Sequence, residues 1–167
     1  EDRHQIVVRE ILQRVYDAGD IYEDEYEGLY SVSEERFITE KEADFGDYRD
    51  IKKLKEKNYF FKMSNYQEPL IKYIQNNPEF IKPDHRRNEV LGFLNQPLDD
   101  LCISRPKSRL SWGIELPFDS NYVTYVWFDA LINYITAPGY NANNKKFDKY
   151  WPANCHLIGK DILTTHA

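Results

Sequence analysis

The sequence predicts an α/β fold: part of a parallel sheet with crossover helices, interrupted by an insertion. Three observations predict it. The C-terminal half alternates β-branched and aromatic runs with helical patterns, the grammar of strand–helix–strand units. Residues 21–100 break that rhythm with short aromatic segments and a strongly polar stretch. The two or three strands that the alternation supplies are too few to complete a parallel sheet.

Each element follows from its own residues. Residues 3–18 form a helix, because Val7/Val8, Ile11/Leu12 and Val15/Tyr16 recur at helical spacing and Gly19 suits the stop. Ile21-Tyr22, Tyr26, Leu29-Tyr30 and Phe37-Ile38 alternate with acidic and turn residues, and Ser33-Glu34-Glu35-Arg36 turns a hairpin. Asp44 to Lys57 reads as an exposed polar excursion. Asn58 to Met63 reads as a strand with Tyr59, Phe61 and Met63 on one face. A helix starts at Ser64, where Ser64 and Gln67 are spaced as a capping box. Its apolar stripe is Leu70, Ile71 and Ile74, and Asn77-Pro78 ends it. A second helix over 85–95 rests on Val90, Leu91, Phe93 and Leu94. Residues 102–105 and 112–116 are short extended pieces. Tyr122 to Phe128 reads as a buried strand. The helix after it carries Ala130, Leu131, Tyr134 and Ile135 and stops near Pro138-Gly139. His156-Leu157-Ile158-Gly159 reads as another strand, with a helix starting near Asp161.

Composition narrows the function classes. The chain has 167 residues, 41% hydrophobic and 30% charged, with 13 Tyr, 9 Phe and 3 Trp. Such ring content belongs to a packed domain, since disordered chains are poor in aromatics. No apolar run is long enough to span a membrane, and no signal peptide is visible. The net charge of −6 argues against a dedicated nucleic-acid module and against DNA as a partner, though a local basic patch can still touch RNA. The two cysteines, Cys102 and Cys155, form no Cys-x-x-Cys pair, so a thiolate zinc knuckle is excluded. A disulfide between them is unneeded at this size, and a reducing cytoplasm is the simpler location. The spacing of His4, His85, His156 and His166 matches no metal-ligand pattern.

Four segments carry candidate chemistry, each beside a plainer alternative. His85-Arg86-Arg87-Asn88 puts cations at a helix start, where the dipole disfavours them, so a carboxylate or phosphate should compensate. An ion pair explains that better than RNA. Trp127-Phe128-Asp129-Ala130 lies where a strand passes into its helix, the edge at which parallel sheets bind ligands. Trp127 walls a pocket or packs in the core, and Asp129 is equally an N-cap. His156 to Asp161 repeats this geometry: Gly159 lets a ligand approach the backbone, or merely turns the chain, and Asp161 can accept from ribose hydroxyls. His166, five residues on, is by itself more often structural than functional.

Taken together these segments resemble methionyl-tRNA synthetases, class I aminoacyl-tRNA synthetases. The matches are Tyr26-Glu27-Gly28-Leu29-Tyr30, Asn58-Tyr59-Phe60-Phe61, Arg86 to Leu91, Ile103-Ser104-Arg105, Trp112-Gly113-Ile114, Tyr125 to Tyr134, and Tyr150-Trp151-Pro152-Ala153 followed by His156 to Asp161. They stand in family order and cover nearly the whole chain. Ala130-Leu131-Ile132-Asn133-Tyr134 fits the methionine family, where the Ile and Val synthetases carry Trp-Phe-Asp-Ser-Gly. Lys62-Met63-Ser64-Asn65 invites comparison with the KMSKS loop of class I synthetases, but its second lysine is replaced by Asn65 and an N-cap role for Ser64 explains it better.

The resemblance implies an incomplete Rossmann-type catalytic domain interrupted by a connective insertion. Residues 1–20 would end its first half, 21–101 would be a mixed α+β insertion without structural zinc, and 102–167 would start the second half. The family's HIGH and KMSKS motifs are expected outside this chain, so it reads as an internal fragment, nearly inactive alone. The implied reaction joins methionine to ATP, with its Mg²⁺, and passes the methionyl group to the methionine tRNA. Trp127, Ala130, Tyr134 and His166 match the methionine side-chain pocket, Gly159 and Asp161 the ATP ribose site, and Arg105 an arginine near the phosphates. Thr165 departs from the aromatic residue usual beside the pocket histidine. The insertion lacks the cysteine knuckles of many members, so residues 21–63 should be held by aromatic packing. A non-catalytic module that kept the architecture, binding tRNA or a protein partner, is the rival reading.

Overall fold

A computed structural model describes residues 1–31, 36–38, 43, 50–125 and 127–166. Helix α1 (Asp2–Asp17) buries Val7, Val8 and Leu12 and leaves its charged face in water. Its end is a Schellman motif: Gly19 N–H donates to Tyr16 O, Asp20 N–H to Val15 O, and Gly19 takes φ +80°, which a side chain would disfavour.

Strand β1 (Ile21–Ser31) then pairs along its whole length with β3 (Ile51–Phe61), from Ile21 opposite Phe61 to Ser31 opposite Ile51. Strand β2 (Arg36–Ile38) lies on the other side of β1, and β4 (Leu101–Cys102) lies beside β3, giving the order β2-β1-β3-β4, all antiparallel. Ser31 faces Arg36, as the expected hairpin requires, while residues 32–35 of its turn lie outside the described residues. Residues 51–57 are a correction. Their polarity suggested an exposed excursion, yet they form most of β3. Lys53, Lys55 and Lys57 pair diagonally across the ladder with Glu27, Glu25 and Glu23 at 3.0, 2.9 and 3.8 Å. A solvated sheet face is satisfied by alternating opposite charges as readily as by apolar residues. Residues 44–49 lie outside the described residues.

A 3₁₀ turn (Met63–Tyr66) leads into α2 (Gln67–Asn76). The expected capping box does not form. The extra turn shifts the helix start, so Ser64 gives its hydroxyl and its N–H to Asp100 Oδ1 (2.6 and 3.1 Å). Gln67 donates to the carbonyls of Leu94 and Gln96 and accepts from Leu98 N–H. Helix α3 (Asp84–Leu94) packs Val90 and Leu94 against Ile74, a small core of its own. Arg86 pairs with Glu89 at 2.5 Å and Arg87 donates to Pro78 O, so this basic cluster is compensated within the protein.

A second sheet holds β5 (Ser104–Pro106), β6 (Glu115–Leu116) and β7 (Asp119–Thr124) in the order β5-β7-β6. Its pairs are antiparallel too, so no parallel pair occurs among the described residues. The strand expected over 122–128 ends at Thr124, and α4 (Trp127–Thr136) already includes Trp127 and Phe128. The strand expected over 156–159 does not form. A strand is defined by the backbone it pairs with, and this segment meets no strand among the described residues, with Leu157 95% exposed. Helix α5 (Asn144–Tyr150) is capped by the Asn143 side chain, which accepts Lys146 N–H. A 3₁₀ turn (Lys160–Ile162) and α6 (Leu163–His166) follow.

One main core joins these pieces. Val7, Val8 and Leu12 of α1 meet Ile21 and Tyr59 of the long hairpin, Ile103, Ile114 and Leu116 of the second sheet region, and Ile132 of α4. Tyr59 anchors the hairpin: its ring meets Phe118 and Tyr122 edge-on, and its hydroxyl donates to Asp119 at 3.0 Å. Burial and that carboxylate hold the phenol protonated well above its usual range.

Candidate substrate site

Helix α4 carries two unlike faces. Asp129, Ile132 and Thr136 share the face toward α1, while Trp127, Ala130 and Tyr134 recur on the other at helical spacing. Ile132 and Thr136 are buried; Trp127 and Tyr134 are half-buried and Ala130 is exposed. Asp129 is not an N-cap. It is the third residue of the helix, and its carboxylate bonds the His4 ring at 2.7 Å.

The outer face of α4 meets His166 from the short C-terminal helix. The Tyr134 hydroxyl lies 3.1 Å from His166 Nε2, and the Trp127 ring stands edge-on to His166 with centroids 6.2 Å apart. His166 Nδ1 bonds Ile162 O at 2.9 Å. A carbonyl only accepts, so Nδ1 carries a proton, and in the neutral ring Nε2 accepts the Tyr134 hydroxyl. Thr165, the departure noted above, also bonds Ile162 O and lies 3.3 Å from Nδ1, helping to fix the ring without an aromatic residue.

Sequence reasoning missed two neighbours. His156 meets Tyr134 edge-on at 5.0 Å and Trp151 at 6.1 Å, so Tyr134 is flanked by two imidazoles. His156 opens the segment already singled out, but its approach to Tyr134 depends on how the loop returns to α4.

Gly159 and Asp161 follow His156 and are both exposed. Gly159 has extended backbone (φ −64°, ψ 144°), and a Cβ there would meet only Ile162 Cγ1 at 3.9 Å. Neither the turn nor packing demands glycine, and the bare backbone leaves room for a ligand. Arg105 is placed differently. It is 8% exposed, its Nη1 bonds Ser104 O at 2.8 Å and Cys102 Sγ at 3.1 Å, and the guanidinium stacks on Tyr125 at 4.0 Å. The structure thus groups Trp127, Tyr134 and His166 by direct contact, sets Gly159 and Asp161 on the adjoining loop, and embeds Arg105 at the root of the second sheet. Among the described residues no three His, Cys, Asp or Glu side chains gather as a metal site.

The family model described as tRNA synthetases class I (M) matches residues 47–167. The chain belongs to that family. Among curated class I relatives, it is 51% identical to the methionine–tRNA ligase of Clostridium tetani over 99% of this chain and 26% of that protein. It is 50% identical to the methionine–tRNA ligase of Deinococcus radiodurans over 99% of this chain and 25% of that protein. The crystal structure of Mycobacterium tuberculosis methionyl-tRNA synthetase bound by methionyl-adenylate superposes with a TM-score of 0.86 at 40% identity, covering 99% of this chain and 34% of that one. The chain spans about a quarter of the length of the curated synthetases it matches.

Proposed function

We propose that this chain is the part of a methionine–tRNA ligase that builds the methionine pocket and one side of the ATP site. The observation that carries the reading is the convergence of Trp127, Tyr134 and His166 on the outer face of α4 and its neighbour, in a chain half identical to methionine–tRNA ligases. A methionine side chain is long, apolar and tipped by a weakly accepting sulfur. Ala130 leaves space on the helix, Trp127 gives an aromatic wall, and the Tyr134 hydroxyl turns its one proton from His166 Nε2 to the sulfur. Leucine fills similar volume but leaves that donor unpaired, which supports discrimination.

In this reading the methionine carboxylate attacks the α-phosphorus of ATP, and pyrophosphate leaves. The terminal adenosine hydroxyl of the methionine tRNA then attacks the carbonyl carbon, and AMP leaves. No side-chain nucleophile is needed; alignment and charge stabilisation do the work. Gly159 admits the nucleotide close to the backbone and Asp161 accepts from the ribose hydroxyls. Arg105 serves the phosphates with its cationic fork, or through the loop it anchors. Magnesium accompanies ATP as the counter-ion of the triphosphate.

The same reading divides the chain at residues 20 and 101, with a Rossmann-type parallel sheet to which residues 102–167 contribute and an insertion over 21–101 that holds without zinc. Both cysteines fall outside that insertion, while Tyr22 stacks on Phe60 and the lysine–glutamate ladder ties β1 to β3. A protein-synthesis enzyme of this kind works in the cytoplasm, and among the described residues no helix is long and apolar enough to cross a membrane.

Methionine-dependent exchange of pyrophosphate into ATP by the full-length protein tests the activity. Calorimetry tests the pocket: Trp127→Ala should weaken methionine binding about tenfold or more, the scale of losing one buried aromatic wall. Unchanged affinity would overturn the pocket assignment.

A further inference from the structure

We infer that His4, on α1 and remote in sequence from the site, is a positioning residue for the amino-acid pocket; this rests on the reading that α4 carries that pocket. His4 Nε2 lies 2.7 Å from Asp129 Oδ1, and Nδ1 lies 3.1 Å from Thr136 Oγ1. Those two partners stand in the first and last turns of α4. One imidazole therefore grips the helix at two points seven residues apart. The contact is sheltered, with 21% of the His4 side chain and 29% of the Asp129 side chain exposed. Thr136 is 3% exposed, and its hydroxyl also donates to Ile132 O at 3.0 Å.

Both helices also give apolar side chains to the shared core, Val7, Val8 and Leu12 from α1 and Ile132 from α4, with Ile11, Val15, Phe128 and Ile135 packed against it. Apolar contacts hold two helices together but resist roll and sliding weakly, whereas hydrogen bonds are directional. His4 thus sets the axial register and roll of α4. The helix is rigid, so fixing Asp129 and Thr136 on one face fixes Trp127, Ala130 and Tyr134 on the other. The Tyr134–His166 bond and the Trp127–His166 contact depend on that roll, because their partner lies on a different element. Asp129 sits two residues from Trp127 and one from Ala130, so the grip acts where the pocket begins.

The test uses the full-length protein and steady-state pyrophosphate exchange. His4→Phe keeps the ring volume and removes both hydrogen bonds. It should raise the methionine KM about tenfold, the loss of one to two sheltered hydrogen bonds, with kcat changed less than about twofold and the ATP KM unaltered. His4→Gln, which can still reach Asp129, should recover part of that loss. Thr136→Val removes only the second grip, needs no rearrangement of charge, and should raise the methionine KM about threefold; it serves if His4→Phe does not fold. Folded His4→Phe and Thr136→Val proteins with unchanged methionine KM overturn the inference. So does a loss shared equally between methionine and ATP, which marks a general structural role. If the unaltered protein shows no methionine-dependent exchange, the pocket reading itself falls, a result distinct from any comparison among variants.

Discussion

Tyr134 lies between two imidazoles, bonded to His166 and edge-on to His156. Its hydroxyl is the group a thioether would meet. Removing it leaves the ring, its packing and the helix unchanged, so Tyr134→Phe isolates the polar contribution. We expect the methionine KM to rise about fivefold and the selectivity for methionine over leucine to fall by a similar factor, since a weak acceptor loses one donor and leucine loses nothing. Competition kinetics on the full-length protein measure both. At this scale Trp127, Ala130, Tyr134 and His166 were singled out through the family resemblance, and the structure brings Trp127, Tyr134 and His166 into contact. The contacts of His4 and His156 were not legible, because nothing local marks a histidine whose partners are 132 residues away or across a returning loop.

The elements show what holds the insertion to the rest. Asp100, just before β4, accepts from Ser64 at one oxygen and from the Tyr22 hydroxyl at 3.0 Å at the other. It thereby ties the start of β1 to the turn after β3. Burial pushes its carboxyl upward, but the Ser64 and Tyr22 hydrogen bonds and the nearby Lys62 outweigh it and hold the group below its ordinary value of 3.8. The sign follows from linkage: a carboxylate depressed in the folded state adds stability that is present above its unfolded pKa and disappears as pH falls through the folded one. Thermal midpoints of the full-length protein and its Asp100→Asn variant should therefore differ at neutral pH and converge in acid, as the pH falls below the ordinary carboxyl value of 3.8, the wild-type midpoint falling toward the variant. A constant gap across that range would refute the tie. The capping box expected at Ser64 and the excursion expected over 51–57 failed for one reason. Polar side chains take whichever partner the fold supplies, and sequence spacing shows only the local one.

For the whole molecule, two features bear on how this chain behaves alone. Leu157, Trp112 and Ile6 are 95%, 74% and 64% exposed, and residues 156–159 pair with no strand among the described residues. Unpaired backbone beside apolar side chains invites association. A protein limited to residues 1–167 should sediment as a concentration-dependent mixture and melt broadly. A sharp, monomeric unfolding transition would contradict that expectation. The small separate core of Ile74, Val90 and Leu94 adds to the argument, since it can open without the main one.

The sequence by itself pointed to α1, α2, α3, the body of α4 and the short helix after Asp161, to the aromatic segments and to the family, but not to α5. These follow from short-range periodicity and from motifs in fixed order, which survive without knowledge of the fold. Only the tertiary structure decided the antiparallel pairing of β1 with β3, of β3 with β4 and of β5 with β7, the failure of 156–159 to find a strand partner among the described residues, the engagement of Arg105 with Tyr125, and the grip of His4 on α4. Each of these is a contact between distant parts of the chain. Hydrogen bonds and strand ladders are set by which groups meet in space, and the composition of a segment does not say what it will meet.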